Sequence, residues 1–217
     1  MKNLKKALIG YSGFIGSNLI RETNFENFYR SNNIFDISRE KFGQIICAGV
    51  SAVKWLANKE PEADWASIQR LISALEQTEA EQFVLISTID VYPVPTGVDE
   101  ATEISPDEVT QAYGRHRLML EQFVREKFPH ALTLRLPGLF GAGLKKNILF
   151  DLMHQNRLPH INPASEFQWY PLDRLWRDIQ TGLDAGLDLV NLSVAPVPTK
   201  AIIERCFPSL RVGETAE

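Results

Sequence analysis

The sequence predicts an α/β fold: a doubly wound parallel sheet with helices on both faces and a small C-terminal lobe. Short apolar runs, typical of buried parallel strands, alternate with segments of helical periodicity over the first two-thirds of the chain. The first apolar run passes directly into a glycine-rich turn and then into a helix. This alternation indicates parallel strands joined by helical crossovers. We expect a single domain over residues 1–217.

The glycine-rich turn, GYSGFIG at residues 10–16, follows the apolar residues 7–9 and leads into a helix. Gly10 permits a tight turn, Gly13 lets the backbone approach a phosphate, and Gly16 lets the helix pack closely on the sheet. The amides at the helix N-terminus and the helix dipole then favour a bound pyrophosphate. The turn therefore predicts a dinucleotide site, formed by Gly10, Ser12, Gly13, Phe14, Ile15 and Gly16.

Two positions compete for recognition of the ribose at the end of the second strand. If the run 34–37 is that strand, the carboxylate of Asp36 accepts from both ribose hydroxyls, which favours NAD. If the strand is instead the alternating segment 25–29, Arg30 and Ser31 face the ribose and can hold a 2′-phosphate, which favours NADP. We favour the second register, because the helix after Gly16 is short.

The middle of the chain continues the alternation. A buried strand at 44–49 ends in Ala48 and Gly49, whose small side chains leave room for a cofactor. Apolar residues at helical spacing predict a covering helix over 61–75. The next strand, 83–86, ends on Ser87 and Thr88, and side chains at the carboxyl end of such a strand face the ligand site.

The last regular elements are a helix over 111–127 and a strand over 132–136. The helix pattern places Arg115, Arg117, Glu121 and Arg125 together on a polar face. Beyond about residue 141, short helical stretches are separated by proline-containing loops.

Composition excludes several classes of function. The formal net charge of −4, with no basic block, argues against nucleic acid as a partner. Two cysteines provide neither a disulfide framework nor a metal-ligand cluster, so we expect no metal and a reducing, cytoplasmic setting. No apolar run has the length of a membrane span, and the apolar N-terminal run breaks at Gly10, unlike a signal peptide.

Separated segments together carry a resemblance to a known family. GYSGFIG, FVLISTIDVY, the residues around Tyr113, and LTLRLPGLFG occur in this order over most of the chain. In this respect the sequence resembles the extended short-chain dehydrogenase/reductase family, in its NAD-dependent epimerase/dehydratase branch. The resemblance implies a Rossmann-type sheet, a small C-terminal substrate lobe to which residues of about 141–175 contribute, an NAD(P) cofactor and a sugar or nucleotide-sugar substrate.

The same resemblance assigns roles to individual positions. Thr88 matches the catalytic Ser or Thr of the family, and Tyr113 matches its catalytic tyrosine, which acts as the base. Asp36 and Ile37 resemble the acidic-aliphatic pair that contacts the adenine. The small residues beside the nicotinamide are matched by Ala48 and Gly49, and the segment that lies along it by Pro137 and Gly138.

The sequence departs from the family pattern at two places. The family has Lys four residues after the tyrosine, where this chain has Arg117. Arg117 retains a positive charge that would lower the pKa of Tyr113, and its fork can still hold ribose hydroxyls, but it cannot release a proton. Family dehydratases follow the Ser or Thr with Asp and Glu, whereas Ile89 and Asp90 stand here. Ile89 cannot protonate a leaving hydroxyl, so 4,6-dehydration is not expected, and Asp90 is a candidate substrate contact.

Two functions follow from these features. The first is an NAD(P)-dependent oxidoreductase or epimerase in which Tyr113 is the base, Thr88 orients the substrate oxygen and Arg117 activates Tyr113. The second is a dinucleotide-binding sensor or interaction protein that keeps the fold without redox turnover. Family resemblance also makes a homodimer an expectation, with Lys145, Lys146 and Arg174 as candidates for a substrate diphosphate.

Overall fold

The computed structural model describes residues 5–213, and it confirms the α/β class predicted from the sequence. The strands are β1 Lys6–Ile9, β2 Asn27–Tyr29, β3 Lys41–Cys47, β4 Glu79–Thr88, β5 Ala131–Leu136, β6 Gly138–Phe140, β7 Glu166–Phe167, β8 Trp169–Pro171, β9 Leu189–Asn191 and β10 Val197–Pro198. The α-helices are α1 Phe14–Glu22, α2 Lys54–Lys59, α3 Pro61–Glu76, α4 Ala112–Lys127, α5 Ile148–His154, α6 Leu175–Asp184 and α7 Thr199–Cys206.

These elements form two compact units. Among the described residues, the first unit contains 5–136 together with Asp173–Leu192, and the second contains Pro137–Leu172 together with 193–213.

The first unit is built on a six-stranded sheet with the strand order β2-β1-β3-β4-β5-β9. All five neighbouring pairs run parallel. Successive side chains of a strand point to opposite faces, and the neighbours Leu8 and Ile9 in β1 are both buried, as are Val84 and Leu85 in β4. Both faces of the sheet are therefore covered, as the near-continuous apolar strands of the sequence indicate.

Helices α3 and α4 cover one face of this sheet. Leu71 and Leu75 of α3 and Leu120 of α4 pack in one apolar cluster with residues of β1, β3 and β4. On α6, a Cβ at Gly182 would lie 2.8 Å from Leu132, so the absence of a side chain lets this helix approach β5 closely. The predicted helices over 61–75 and 111–127 and the predicted strands over 83–86 and 132–136 are confirmed, whereas the strand predicted over 44–49 ends at Cys47.

The second strand ends at Tyr29, and Ile34–Ile37 forms a 3₁₀-helix. The register in which Asp36 ends the second strand is therefore wrong, and the one that places Arg30 directly after this strand is correct. Local chain geometry explains the result: the Asn33 side chain accepts from the Arg30 amide at 2.8 Å and donates to the Phe28 carbonyl at 3.0 Å. These bonds close a turn immediately after β2.

The polar face predicted for α4 is wrong at two of its residues. Arg117 is 4% exposed and Glu121 is 7% exposed, so both lie inside the first unit rather than in solvent. Each is paired with an opposite charge from another element, Arg117 with Asp64 and Glu121 with Arg135. A helical pattern shows which residues share a face, but it does not show that a charged residue has a buried partner.

The second unit has its own small apolar core, which includes Leu152, Ile161 and Ile203. Within this unit, β6 pairs parallel with β8, and β7 pairs antiparallel with β10. Because β10 and α7 come from the chain after residue 193, the unit extends beyond the segment 141–175 that the sequence indicated.

No helix within residues 5–213 is both long enough and apolar enough to cross a membrane.

Candidate functional site

The glycine-rich turn lies where the strand order of the sheet reverses. β1 has β2 on one side and β3 on the other, so the crevice between the ends of β1 and β3 is a topological switch point, where ligands bind in such sheets. Gly10 has φ +84°, and a Cβ there would lie 2.2 Å from the Ala48 carbonyl oxygen. Glycine is therefore required at this turn, and it brings the ends of β1 and β3 together.

Helix α1 begins directly after this turn with an N-terminus that suits a phosphate. Gly13 is its N-cap residue, and glycine has no side chain that could cap the amides of the first turn. The amides of the first turn of a helix have no partner within the helix, and they attract anions. A Cβ at Gly16 would lie 2.3 Å from the Gly10 carbonyl oxygen, so the helix can start this close to the turn only with glycine there. These residues fit a dinucleotide pyrophosphate.

The end of β2 lies beside the glycine turn. The amide of Gly10 donates to the Tyr29 carbonyl at 2.7 Å, and Arg30 and Ser31 follow as exposed residues. The Arg30 guanidinium lies 5.8 Å from the centre of the Tyr11 ring. This placement leaves Arg30 and Ser31 open to a ligand at the end of the strand.

Asp36 and Ile37 differ in their access to a ligand. Asp36 is exposed, whereas the Ile37 side chain is completely buried in the core of the first unit. A contact between the Ile37 side chain and an adenine ring is therefore ruled out by burial, and only the main chain of Ile37 is left for such a contact.

Thr88 lies at the carboxyl end of β4, as predicted. Its Oγ1 accepts from the Asp90 amide at 3.1 Å and donates to the Asp90 carboxylate at 3.3 Å. The same carboxylate accepts from the Lys54 ammonium at 2.7 Å. Thr88 is thus part of a hydrogen-bonded group with Asp90 and Lys54.

Tyr113 lies in the first turn of α4 and is 9% exposed. Its amide donates to the Asn58 side chain at 2.9 Å. A Cβ on the next residue, Gly114, would lie 2.0 Å from the Asp90 carbonyl oxygen, so α4 starts in direct contact with the segment after β4. The structure therefore brings the turn of Tyr113 to the segment that follows Thr88, two regions the sequence identified separately.

Arg117 lies one helical turn after Tyr113, and its guanidinium is fixed by hydrogen bonds and by a contact with an aromatic ring. Its guanidinium carbon is 3.9 Å from the centre of the Tyr113 ring. One terminal nitrogen donates to Asp64 and to the Tyr113 carbonyl, both at 2.8 Å. The other donates to the Ser51 carbonyl at 2.7 Å and to Asp64 at 3.0 Å. Its four terminal N–H groups are therefore used, and the fork cannot grip ribose hydroxyls without breaking these bonds.

Asp64, on α3, is the residue that balances this charge. Its side chain is 8% exposed, and besides the two bonds from Arg117 it contacts Nδ1 of His116 at 2.8 Å. Burial raises the pKa of the Asp64 carboxyl, but the hydrogen bonds and charges of Arg117 and His116 outweigh burial and lower this pKa overall.

The pKa of Tyr113 is raised rather than lowered. Burial has the largest effect and raises it, the Arg117 charge lowers it, and the carboxylates of Asp90 and Asp64 raise it further. The expectation that Arg117 leaves Tyr113 with a lowered pKa is therefore wrong in its net sign. The Arg117 charge does lower the pKa of Tyr113, as expected, but burial and the carboxylates of Asp90 and Asp64 raise it by more.

A second buried ion pair, between Arg135 and Glu121, lies next to the end of β4. Arg135 of β5 donates to Glu121 of α4 at 2.6 Å, and the Ser87 hydroxyl also donates to this carboxylate. The Arg135 guanidinium lies 4.8 Å from the centre of the Tyr92 ring. This pair ties β4, β5 and α4 together one residue before Thr88.

Sequence reasoning missed Asp64, His116, Asn58 and Lys54. A signal for Asp64 was present, because residues 64, 68, 71 and 75 recur at the spacing of the buried face of α3. An acid in the register of an apolar stripe indicates a buried partner. Lys54 and Asn58 had no comparable signal, since α2 is only six residues long.

Pro137 and Gly138 lie in the second unit, at the start of β6. A Cβ at Gly138 would lie 2.9 Å from the Gln168 carbonyl oxygen, which explains glycine at this position without reference to a ligand.

Comparison with protein-family models gives one match. The model of the NAD dependent epimerase/dehydratase family matches residues 7–158. No curated protein sequence matches the chain.

Solved structures with the same fold include enzymes of several activities. A dTDP-4-dehydrorhamnose reductase from Bacillus anthracis in complex with NADP has a TM-score of 0.77 at 17% identity, and the match covers 100% of this chain and 85% of that one. A UDP-N-acetylglucosamine 4-epimerase from Methanobrevibacter ruminantium has a TM-score of 0.72 at 14% identity, with coverages of 94% and 81%. The NAD-dependent NDP-hexosamine 5,6-dehydratase TunA has a TM-score of 0.74 at 14% identity, with coverages of 92% and 79%. At these identities the likeness shows the fold.

The Arg117–Asp64 pair leads to a prediction about stability. Asp64→Asn should lower the free energy of unfolding at neutral pH by about 3 kcal/mol, because Arg117 is left buried without its counter-charge. Urea unfolding followed by circular dichroism measures the change. Glu62→Gln, an exposed acid on the same helix, is the matched control and should have little effect. An unchanged unfolding midpoint in Asp64→Asn would contradict this role of the pair.

The same pair also makes the free energy of unfolding depend on pH. Because the pKa of Asp64 is lowered in the folded state, its contribution to stability is complete above the unfolded-state pKa of about 3.9. This contribution is lost as the pH falls through the folded-state pKa. The free energy of unfolding of the wild-type protein should therefore fall more steeply below about pH 4 than that of Asp64→Asn. If the free energy of unfolding fell equally steeply below about pH 4 in both proteins, the stabilising role of the Asp64 carboxylate would be refuted.

Tyr113 should respond to the same substitution. Removing the negative charge of Asp64 should lower the pKa of the Tyr113 phenol, because that charge now raises it. The phenolate of Tyr113 is measured as the difference in ultraviolet absorbance between each protein and its Tyr113→Phe counterpart over an alkaline titration. Glu62→Gln again serves as the control, and a higher phenol pKa in Asp64→Asn would show the electrostatic account to be incorrect.

Proposed function

Because the chain belongs to the NAD-dependent epimerase/dehydratase family, we propose that it is an NAD(P)-dependent oxidoreductase or epimerase acting on a sugar or nucleotide sugar. The observation that carries this proposal is the close approach of α4 to the end of β4. Gly114 contacts the Asp90 carbonyl, and this contact puts Tyr113 next to the segment that begins at Thr88. A hydroxyl donor and a phenol base are the two groups that hydride transfer from a carbinol carbon requires.

Several residues of the first unit would hold the dinucleotide. The turn at Gly10–Gly13 and the first turn of α1 fit its pyrophosphate, and Ala48 and Gly49 follow β3 directly beside this turn. Arg30 and Ser31 favour NADP over NAD, because a guanidinium and a hydroxyl suit a ribose 2′-phosphate. A structural relative binds NADP, although another is NAD-dependent. When bound, such a cofactor supplies hydride acceptance and donation.

Tyr113 and Thr88 would act on the substrate oxygen. Tyr113 takes or returns the hydroxyl proton, and Thr88 holds the oxygen in line with the phenol by a hydrogen bond. Thr88 now donates to Asp90 at 3.3 Å, a long bond that a substrate oxygen can replace. Arg117 serves mainly to position Tyr113, through its contacts with the ring and the carbonyl of that residue.

We propose reduction or epimerisation rather than 4,6-dehydration. The position after Thr88 is held by Ile89, which has no proton to give to a leaving hydroxyl. One structural relative is a 5,6-dehydratase, so the fold itself admits dehydration, and the argument concerns only this position. The second compact unit is proposed as the substrate lobe, with Lys145 and Lys146 before α5 as candidates for a substrate diphosphate.

A specific observation also supports the second function, a dinucleotide-binding protein without turnover. Arg117 is fixed by four hydrogen bonds and balanced by Asp64, and the pKa of Tyr113 is raised. A base with a raised pKa is mostly protonated at neutral pH. In this case the glycine turn would bind the cofactor while the Tyr113 region served only structure.

Tyr113→Phe separates the two functions. If the protein is an oxidoreductase or epimerase, this substitution should reduce turnover of a sugar nucleotide at least 100-fold, in line with the loss of a general base. Affinity for NADPH, measured by its fluorescence, should change less than about twofold. Turnover is followed by NADPH absorbance for reduction and by NMR of the sugar for epimerisation. Cofactor binding by the wild-type protein with no turnover of any sugar nucleotide would favour the binding function.

The choice of cofactor is tested at Arg30. Arg30→Ala should weaken NADPH binding roughly tenfold or more, through loss of a charge-assisted bond to the 2′-phosphate, and should leave NADH binding nearly unchanged. Isothermal titration with both cofactors gives the two affinities. Arg39→Ala, another exposed arginine of the first unit, is the control. Equal losses for both cofactors would show that Arg30 does not select NADP.

A further inference from the structure

A cavity of about 210 Å³ lies directly after β4. This volume is smaller than the roughly 300–1,000 Å³ of typical small-molecule pockets, so it suits one sugar ring rather than a dinucleotide. Its apolar lining consists of Ile89, Pro93, Pro95 and Val109. Its polar lining consists of Lys54, Asp90, Tyr92, Thr110 and Gln111.

The charged groups of this cavity are Lys54 and Asp90, which form an ion pair at 2.7 Å. Both are open to solvent, with side chains 46% and 36% exposed. Asp90 lies two residues after Thr88 and shares a hydrogen bond with it. One wall of the cavity is therefore joined to a proposed catalytic residue.

Helix α2 fixes the position of Lys54 relative to Tyr113. Lys54 and Asn58 are four residues apart and lie on one face of α2. Asn58 accepts from the Tyr113 amide at 2.9 Å and donates to Gln111 at 3.3 Å. The same helix face that holds the start of α4 therefore presents Lys54 to Asp90.

The pair keeps free hydrogen-bonding capacity for a ligand. An ammonium has three donors, and Asp90 takes one of those of Lys54. A carboxylate has about four acceptor positions, and Lys54 and Thr88 occupy two of those of Asp90. Neighbouring hydroxyls of a sugar are both donors and acceptors, so they match a carboxylate and an ammonium held side by side.

We propose that Lys54 and Asp90 determine substrate specificity: they bind adjacent hydroxyls of an uncharged sugar ring and discriminate against a sugar acid. This inference rests on the proposed function, since it names the class of sugar that the site accepts. A sugar hydroxyl can donate to Asp90 and accept from Lys54, whereas a sugar carboxylate only accepts hydrogen bonds and can therefore use Lys54 alone. Bound there, it lies beside the Asp90 carboxylate, and like charges side by side disfavour binding.

The test compares two probes that differ only at C6 of the sugar, which is a hydroxymethyl group in UDP-glucose and a carboxylate in UDP-glucuronic acid. Equilibrium binding of each is measured by isothermal titration with NADPH present. The wild-type protein should bind UDP-glucose at least tenfold more tightly. Asp90→Asn should reverse this order, because it keeps the shape of the side chain but leaves Lys54 free to pair with the sugar carboxylate. Lys54→Met should weaken the binding of UDP-glucose about tenfold and should not create affinity for UDP-glucuronic acid.

Asp107→Asn and Lys59→Met change exposed residues of the same charges in the same unit and should leave the order of affinities unchanged. A loss of folding in Asp90→Asn would not produce a reversed preference, and circular dichroism identifies it. The proposal is overturned if the wild-type protein binds neither probe, binds the acid as well as the neutral sugar, or keeps its preference in Asp90→Asn. Failure of the proposed function is distinct from these results, since it appears as absent Tyr113-dependent turnover while the binding preference persists.

Discussion

The buried ion pair between Arg117 and Asp64 is the interaction on which the arrangement of the candidate site depends. Removing two charges from water is costly, and the cost is recovered only when geometry is good and the remaining donors are satisfied. Both conditions hold, because Asp64 accepts two bonds from the guanidinium and the carbonyls of Ser51 and Tyr113 accept the other two. The pair thereby joins α3, α4 and the segment after β3 at one point.

The ionisation of Tyr113 follows from this constraint. An unpaired cation 3.9 Å from the ring would strongly favour the phenolate, but Arg117 shares its charge with a carboxylate that has the opposite effect. Burial of the ring then decides the direction, and the pKa is raised. Stability and chemistry are opposed here, since the acid that makes a buried arginine tolerable also reduces its influence on the base.

The sheet, its helices and the positions of Thr88 and Tyr113 were predictable from the sequence, because each rests on a local pattern. A strand before GYSGFIG, hydroxyls at the end of β4 and a helix beginning near residue 112 are all short-range signals. The partners of Arg117 could not be predicted from the sequence, because Asp64 is 53 residues away in the chain and its pairing depends on the packing of α3 against α4. The Thr88–Asp90–Lys54 group was equally unpredictable, since Lys54 contacts Asp90 only because of where α2 lies in the fold.

Arginine at position 117 and aspartate at position 64 have to be considered as one unit. A lysine in place of Arg117 has three donors on one nitrogen and no planar fork, so it cannot serve both oxygens of Asp64 and the carbonyls of Ser51 and Tyr113 together. Such a lysine would pair with Asp64 and would remain neutralised, so it would not act as the isolated cation expected from the family pattern. The electrostatic effect of residue 117 on Tyr113 therefore depends on two helices, and a lysine at position 117 would be an isolated cation only if the acid on α3 were also removed.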